Sequence, residues 1–547
     1  MASPTHEVTN QPPPLVAYNL FAQDRVLSEA VAREHADWAR AGLEAFGNLV
    51  GGEPFEWGRQ ANAYPPVLHT HDRYGHRIDE VEYHPAYHQL MTLAVSHGLH
   101  ALPWREAKPG AHVARAAHFF LLSQIEAGVG CPLSMTYSVI PALRAQPDLA
   151  REWEPRLTSL EYDPRLLRAS DKRGALAGMA MTEKQGGSDV RTNTTRARAL
   201  GLGGPGTEYA LTGHKWFCSA PMCDIFLVLA QTEKGLSCFL VPRVLADGAR
   251  NPFFIQRLKD KLGNRSNASS EIELDGTHAW MVGEEGRGVA TIIEMVNHTR
   301  LDCVIGSSAA VRQAVSQALH HTAYRQAFGA RLNEQPLMQN VLADLAIESE
   351  AATTTMMRLA RAYDDSTHDP GARHFARLTT AIVKYWVCKR APAVVAEALE
   401  CLGGAGYVEE SILARLYREI PLLSIWEGSG NVMCLDVLRA MGRSPESVAA
   451  FFAELELARG RAPQFDVFVD ALQHELRDFS QLEQRARRLV ERAALAFQAA
   501  LLLRHGDAVV AEAFCRTRLA GDRGLALGTL PTGIDFAHII ERARPQV

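Results

Sequence analysis

Apolar positions along the 547-residue chain change their spacing three times. Over residues 27–167 they recur at helical intervals, clearest in residues 112–127 (HVARAAHFFLLSQIEA). A Gly/Pro/Asp-rich stretch interrupts that pattern around residues 61–75. From 178 to 283 the apolar runs shorten and glycine turns multiply. Residues 207–213, 225–232, 236–243 and 270–276 read as strands, and glycines 201, 203, 204 and 206 as the loop of a hairpin. Helical spacing returns over 288–441, broken mainly at Gly403, Gly404 and Gly406. Past Gly442-Arg443-Ser444-Pro445 a further helical block follows. The first fifteen residues are proline-rich and polar, and predict an extended arm.

This order predicts an α+β protein that is mainly α. A helical N-terminal domain with its arm covers 1–177, a small β-domain 178–284, a helical domain 285–444, and a C-terminal helical domain 445–547. One hydrophobic core does not serve a chain this long, so several domains are expected. Strands do not alternate with helices, which argues against a Rossmann-type nucleotide domain.

Composition narrows the class. With 47% apolar and 22% charged residues, the chain is ordinary for a soluble globular protein. A net charge of −5 disfavours non-specific nucleic-acid binding by the whole surface but leaves room for a local basic face. Nine scattered cysteines without a C-x-x-C pair predict a reduced compartment, with neither a disulfide framework nor a metal site. The first residues, MASPTHEVTN, have no basic region leading into an apolar run, and no membrane-length apolar stretch occurs. A cytoplasmic, membrane-free protein is the expectation.

Three segments carry candidate chemistry. In Met181-Thr182-Glu183-Lys184-Gln185-Gly186-Gly187-Ser188-Asp189, paired glycines flanked by hydroxyls let backbone N–H groups approach an anion; a tight turn into a strand is the plainer reading. In Glu400-Cys401-Leu402-Gly403-Gly404-Ala405-Gly406-Tyr407, three glycines interrupt a helical region at about 1 kcal/mol each. Either a helix–helix turn or the close approach of a cofactor accounts for them. In Ile425-Trp426-Glu427-Gly428-Ser429-Gly430-Asn431, a lone carboxylate beside an indole suits a general base.

Taken together and in this order, the three segments resemble the two signatures and the base loop of the acyl-CoA dehydrogenase family, over about residues 80–442. The resemblance implies an FAD-bound fold of three family domains, here with a C-terminal helical extension. It also implies oxidation of an acyl thioester, with Glu427 removing the α-proton. A minority branch of the family carries its base where this chain has Thr299-Arg300, and Thr299 cannot serve. The implied FAD contacts are Met179, Met181, Thr182, Gly187 and Ser188; Trp216, Phe217, Cys218 and Ser219; Arg325, Phe328 and Gln335; Glu400, Gly403 and Gly404; and Ile425, Trp426, Gly428, Ser429 and Asn431. Thr182, Ser188 and Arg300 are implied acyl-CoA contacts. Arg325, with its fixed fork of donors, would reach the FAD pyrophosphate across a subunit interface. The chain departs from the family pattern at Cys218 (usually threonine), Glu400 (usually glutamine), Trp426 (usually tyrosine) and Thr192 (usually smaller).

The segments Asn10-Gln11-Pro12, 181–190, 260–269 (DKLGNRSNAS) and 424–431 resemble, more narrowly, a branch of that family tied to the response to DNA alkylation. That likeness implies a homotetramer built as a dimer of dimers, weak dehydrogenase activity, and double-stranded DNA bound through the C-terminal domain. Residues 451–547 hold 13 Arg, 13 Asp or Glu, and no Lys. Arg485, Arg488 and Arg492 recur on one helical face with Arg487 beside them, Arg516, Arg518 and Arg523 form a second cluster, and Arg439 and Arg443 lie at the junction. Arginine suits phosphate, and without a recognition motif any binding is sequence-independent. Two readings stay open for this block: a basic face for DNA, or a balanced face that makes only intramolecular or subunit contacts, as in a metabolic dehydrogenase of short or branched chains.

Overall fold

The structure, a computed structural model, describes residues 5–546. The chain folds as two compact units, one of residues 1–53, 112–125 and 303–547, the other of 54–111 and 126–302.

The second unit carries the sheets. A hairpin of β1 (Val67–His71) and β2 (Arg77–Glu82) occupies the stretch that reads as an irregular interruption of helix. The main sheet comprises β3 (Ala177–Ala180), β4 (Arg196–Ala199), β5 (Glu208–Ser219), β6 (Ile225–Thr232), β7 (Gly235–Pro242), β8 (Phe253–Leu258) and β9 (Ser269–Val282). Neighbours run β6-β4-β5-β9-β7, and β7 pairs back to β6, so these five strands close on themselves as a small barrel; β3 joins at β6 and β8 at β9. Closure buries both faces of β6 from Ile225 to Ala230, which is why that strand is a continuous apolar run rather than an alternation. The glycine-rich segment after β4 is the expected hairpin loop, since β4 pairs antiparallel with β5.

The first unit is helical. Its long helices, Pro336–Asp365 and Pro370–Glu400, both open on proline at the first turn, where no intrahelical N–H is lost. Asp369 caps the second by accepting from the Gly371 amide. Pro370–Glu400 is the central element: it packs against the helices Gly430–Arg443, Pro445–Glu456 and Leu482–His505. The C-terminal block therefore shares a core with the helices before it. Phe497 meets Phe375 and Phe451 with ring centroids 5.7 and 6.1 Å apart, and the Trp386 indole N–H donates to Gln498 at 3.0 Å. The N-terminal arm is also anchored in this unit. Tyr18 donates to Gln313, Gln317 to the Leu15 carbonyl, and His320 lies 2.9 Å from that of Pro13.

Among the described residues no helix is long and apolar enough to cross a membrane and no cluster could hold a metal ion. All nine cysteines are buried and unbridged.

Candidate active site and flavin cradle

Glu427 lies on the link between the short helical turn Ile420–Ser424 and the helix Gly430–Arg443. Its backbone is left-handed, at φ +57°, and Gly428 follows at +106°. A left-handed non-glycine residue is strained and persists only where surrounding contacts hold it. Here the contacts come from Lys384 on the central helix. Its ammonium group, on a residue 1% exposed, donates to the carbonyls of Trp426 and Gly428 at 2.9 and 2.5 Å. Two carbonyls that bracket Glu427 are thus tied to one buried cation. The Trp426 indole N–H is buried with no hydrogen-bond acceptor.

Beyond Glu427 the helix Gly430–Arg443 begins at a crowded point. A Cβ on Gly430 would sit 3.4 Å from the Arg487 guanidinium, 3.4 Å from the Tyr385 ring and 3.5 Å from the Lys389 side chain. Arg487 donates to the Asn431 side chain at 2.9 Å. Ser429, at the helix N-cap position, makes no side-chain capping bond.

The second glycine segment divides into two roles. Gly406 is structural, because a Cβ there would collide with the Leu399 carbonyl. Gly403, at φ +59°, and Gly404 face open space. Glu400 is exposed beside them. Farther back along the chain, Phe328 and Gly329 form the positive-φ turn of a two-strand hairpin (Gln326–Ala327 with Ala330–Arg331), and the Phe328 ring is 100% exposed. The Gln335 amide braces this hairpin by donating to the Ala327 carbonyl. Asn10 of the arm exchanges two hydrogen bonds with the backbone of Gln326, and Arg325 donates one guanidinium N–H to the Asn10 carbonyl at 2.6 Å.

In the other unit the first glycine segment leaves β3 and turns back over β5. The Trp216 amide donates to the Thr182 carbonyl at 2.8 Å, and Asn193 to that of Met181 at 2.9 Å. A Cβ on Gly187 would collide with the Thr182 hydroxyl, so that position demands glycine. Beneath the turn Glu183 and Lys215, both fully buried, form an ion pair at 2.8 Å. Burial opposes ionisation of Glu183, but Lys215 and the donors of Thr194 and Thr195 hold its carboxyl well below the usual range. Burial in turn lowers Lys215 to about 8 against the pull of Glu183. Trp216 carries the Lys259 ammonium 3.3 Å from its ring centroid, and Phe217 is exposed next to it.

Cys218 is 0% exposed, and burial pushes its thiol up to about 12. One expectation needs correction here. Arg518 is 5% exposed and clamped between Asp344 and Glu348 inside the helical core, out of reach of DNA phosphates. The other C-terminal arginines are distributed unevenly. Arg485 pairs with Asp478, while Arg488 and Arg492 share Glu475. Arg492 also covers the Phe468 ring, and Arg516 pairs with Asp522. Arg523 approaches Glu348 at 3.9 Å. Arg439 and Arg443 are exposed and make no ion pair among the described residues. Thr299 and Arg300 are buried. Lys384 and the Glu183–Lys215 pair are absent from the sequence reading. Lys384 has a visible signal: a single charge between Ala381-Ile382-Val383 and Tyr385-Trp386-Val387 on a buried helix face.

Comparison with known proteins decides which family the chain belongs to. Residues 10–164 match the adaptive response protein AidB N-terminal domain, 178–277 the acyl-CoA dehydrogenase middle domain, and 286–442 the acyl-CoA dehydrogenase C-terminal domain. The chain is 46% identical to the putative acyl-CoA dehydrogenase AidB of Escherichia coli, over 96% of each. The chain belongs to the acyl-CoA dehydrogenase family, in its AidB branch. It is 30% identical to acyl-CoA dehydrogenase family member 11 of Caenorhabditis elegans, over 82% of this chain and 75% of that one. The solved structure of Caenorhabditis elegans ACDH-11 in complex with C11-CoA superposes with a TM-score of 0.86 at 27% identity, covering 94% of both chains. Like other acyl-CoA dehydrogenases, the chain is an FAD-dependent oxidoreductase. The open backbone at Gly403 and Gly404 and the unsatisfied Trp426 N–H fit a polar cofactor.

Proposed function

We propose that the protein oxidises the CH–CH bond of an acyl-CoA, with Glu427 as the base that takes the α-proton, and that it serves the adaptive response to DNA alkylation. The left-handed Glu427, gripped from both sides by a buried cation, is the observation that carries the base assignment. FAD, when bound, supplies the acceptor for the β-hydrogen leaving as hydride. The residues that would hold it are Met181, Thr182, Ser188, Trp216, Arg325, Gly403, Gly404, Ser429 and Asn431. Arg325, braced by the arm, retains guanidinium donors for a pyrophosphate. Trp426 adjoins the base in sequence and offers an apolar ring beside it. The protein works as a homotetramer in the cytoplasm, and the exposed Phe328 hairpin supports a subunit contact there.

Glu427→Gln removes the base while conserving shape. Mixing the FAD-loaded variant with butyryl-CoA leaves the flavin absorbance unbleached on the wild-type timescale; wild-type bleaching removes Glu427 from the role.

In this role the protein associates with duplex DNA. The match to the adaptive response AidB N-terminal domain and the lysine-free, arginine-rich C-terminal block support it. Arg439 and Arg443 are the most available phosphate ligands, with Arg485, Arg488 and Arg492 contributing the charge left after Glu475 and Asp478 are matched. A second reading, an acyl-CoA dehydrogenase of metabolism with no DNA role, draws on those same internal pairs. Salt titration of duplex affinity separates them. Arg439→Ala/Arg443→Ala is expected to lower the log–log salt slope by about 2, one for each lost phosphate contact. An unchanged slope in that variant and in Arg485→Ala/Arg488→Ala/Arg492→Ala favours the metabolic reading.

A further inference from the structure

Lys384 sits in the middle of the helix Pro370–Glu400, among buried apolar residues. A buried ammonium is expensive, and ordinarily a carboxylate offsets the cost. Lys384 has no carboxylate partner among the described residues; its hydrogen bonds go to the carbonyls of Trp426 and Gly428. Two neutral acceptors are poor compensation for a lost hydration shell. The same purpose, closing the turn, could be met by a neutral donor at less cost, so the charge itself calls for a role. The peptide between those carbonyls belongs to Glu427, whose φ of +57° is strained and needs external support. Cation, strained turn and carboxylate-bearing residue form one unit.

We infer that Lys384 is the positioning residue of the base: it locks Glu427 into its left-handed turn and sets a fixed positive charge behind it. This rests on the assignment of Glu427 as base. The hydrogen bonds aim the carboxylate, and the charge favours its ionised form while an acyl chain and flavin exclude water. Catalysis by a positioned base depends on both, because proton transfer needs correct geometry and the correct protonation state together.

The test uses the FAD-loaded protein and 3-thiaoctanoyl-CoA, whose sulfur at position 3 removes the β-hydride and leaves only α-proton chemistry. Washout of the α-protons into D2O, followed by NMR across pH, reads the base alone. Lys384→Met is expected to slow washout at least about tenfold and to raise the pH midpoint by on the order of one unit, as loss of a neighbouring cation does to a carboxyl group. Affinity for the analogue stays within about twofold if the pocket is intact, as expected for a group that does not bind substrate. Lys384→Gln keeps an amide donor without the charge, so it retains more of the rate but carries the same midpoint shift. It also serves if the methionine variant does not fold. A wild-type rate and midpoint in either folded variant overturns the inference, provided Glu427→Gln is silent. Washout persisting in Glu427→Gln instead sinks the base assignment, and the role of Lys384 with it.

Discussion

Single residues divide the arginines of the C-terminal block into different jobs, although their spacing puts four of them on one helix. Arg485, Arg488 and Arg492 point to the carboxylates of Glu475 and Asp478, but Arg487 turns toward Asn431 at the head of the helix after the base loop. That contact reaches a residue implied in FAD binding, and we propose that Arg487 serves the flavin cradle rather than a phosphate-facing set. Arg487→Ala is expected to weaken FAD retention by about ten- to a hundred-fold, on the scale of one charge-assisted hydrogen bond of about 1.5–3 kcal/mol. Flavin fluorescence after dilution measures the release, and the DNA salt slope stays as in wild type. If the slope falls and FAD is held as firmly as before, Arg487 returns to the DNA face. Glu427 stands out in sequence as the candidate base because its loop resembles the family's base loop, not because a carboxylate between an indole and a glycine is distinctive by itself. The left-handed turn that presents it is not legible there, since its support comes from Lys384, 43 positions earlier by the numbering of the two residues.

At the scale of elements, strong periodicity carried through and weak periodicity did not. Ile225–Thr232 is a strand at the bounds its apolar run predicts, and the long helices after Gly288 follow the expected spacing. β3 and β4 have four residues each, too few for a period to register, and depend on pairing with β6 and β5 for their existence. The β1–β2 hairpin is half-exposed and rich in histidine and acidic residues, so its alternation carries almost no apolar signal. Arginine recurrence in Leu482–His505 correctly gives a shared face, while its neutralisation comes from the end of the preceding helix and the loop after it, which no periodicity within the helix can report. The arm is the converse case. Its prolines announce an extended segment, but its value lies in Asn10, whose side chain pairs with the Gln326 backbone as a strand would and so steadies Arg325.

In the molecule as a whole, the C-terminal block is welded to the long helices before it, and this governs how the protein should unfold. Arg518 sits between Asp344 and Glu348 on the helix Pro336–Asp365, Arg390 of the central helix joins Glu348, and Asp344 also accepts the Gly528 amide. Burial alone would raise the Glu348 carboxyl, but Arg518 and Arg390 draw it down to about 2. A carboxyl lowered in the folded state adds stability that is complete above its ordinary range and is lost as pH falls from about 4.5 toward 2. Cutting one partner from such a buried network leaves uncompensated charge, at a cost of about 3–5 kcal/mol. Arg518→Met is therefore expected to lower the melting temperature clearly at pH 7, and to lose less stability than wild type on acidification to about pH 3, inside that window. Because the network ties two parts of one core, the helical unit should melt with the C-terminal block in a single transition in wild type. Calorimetry of both proteins across pH checks this. A separate C-terminal transition in wild type, or a variant as stable as wild type at neutral pH, would mean that the block is a detachable module and that its arginines are free to serve a partner independently of the flavin site.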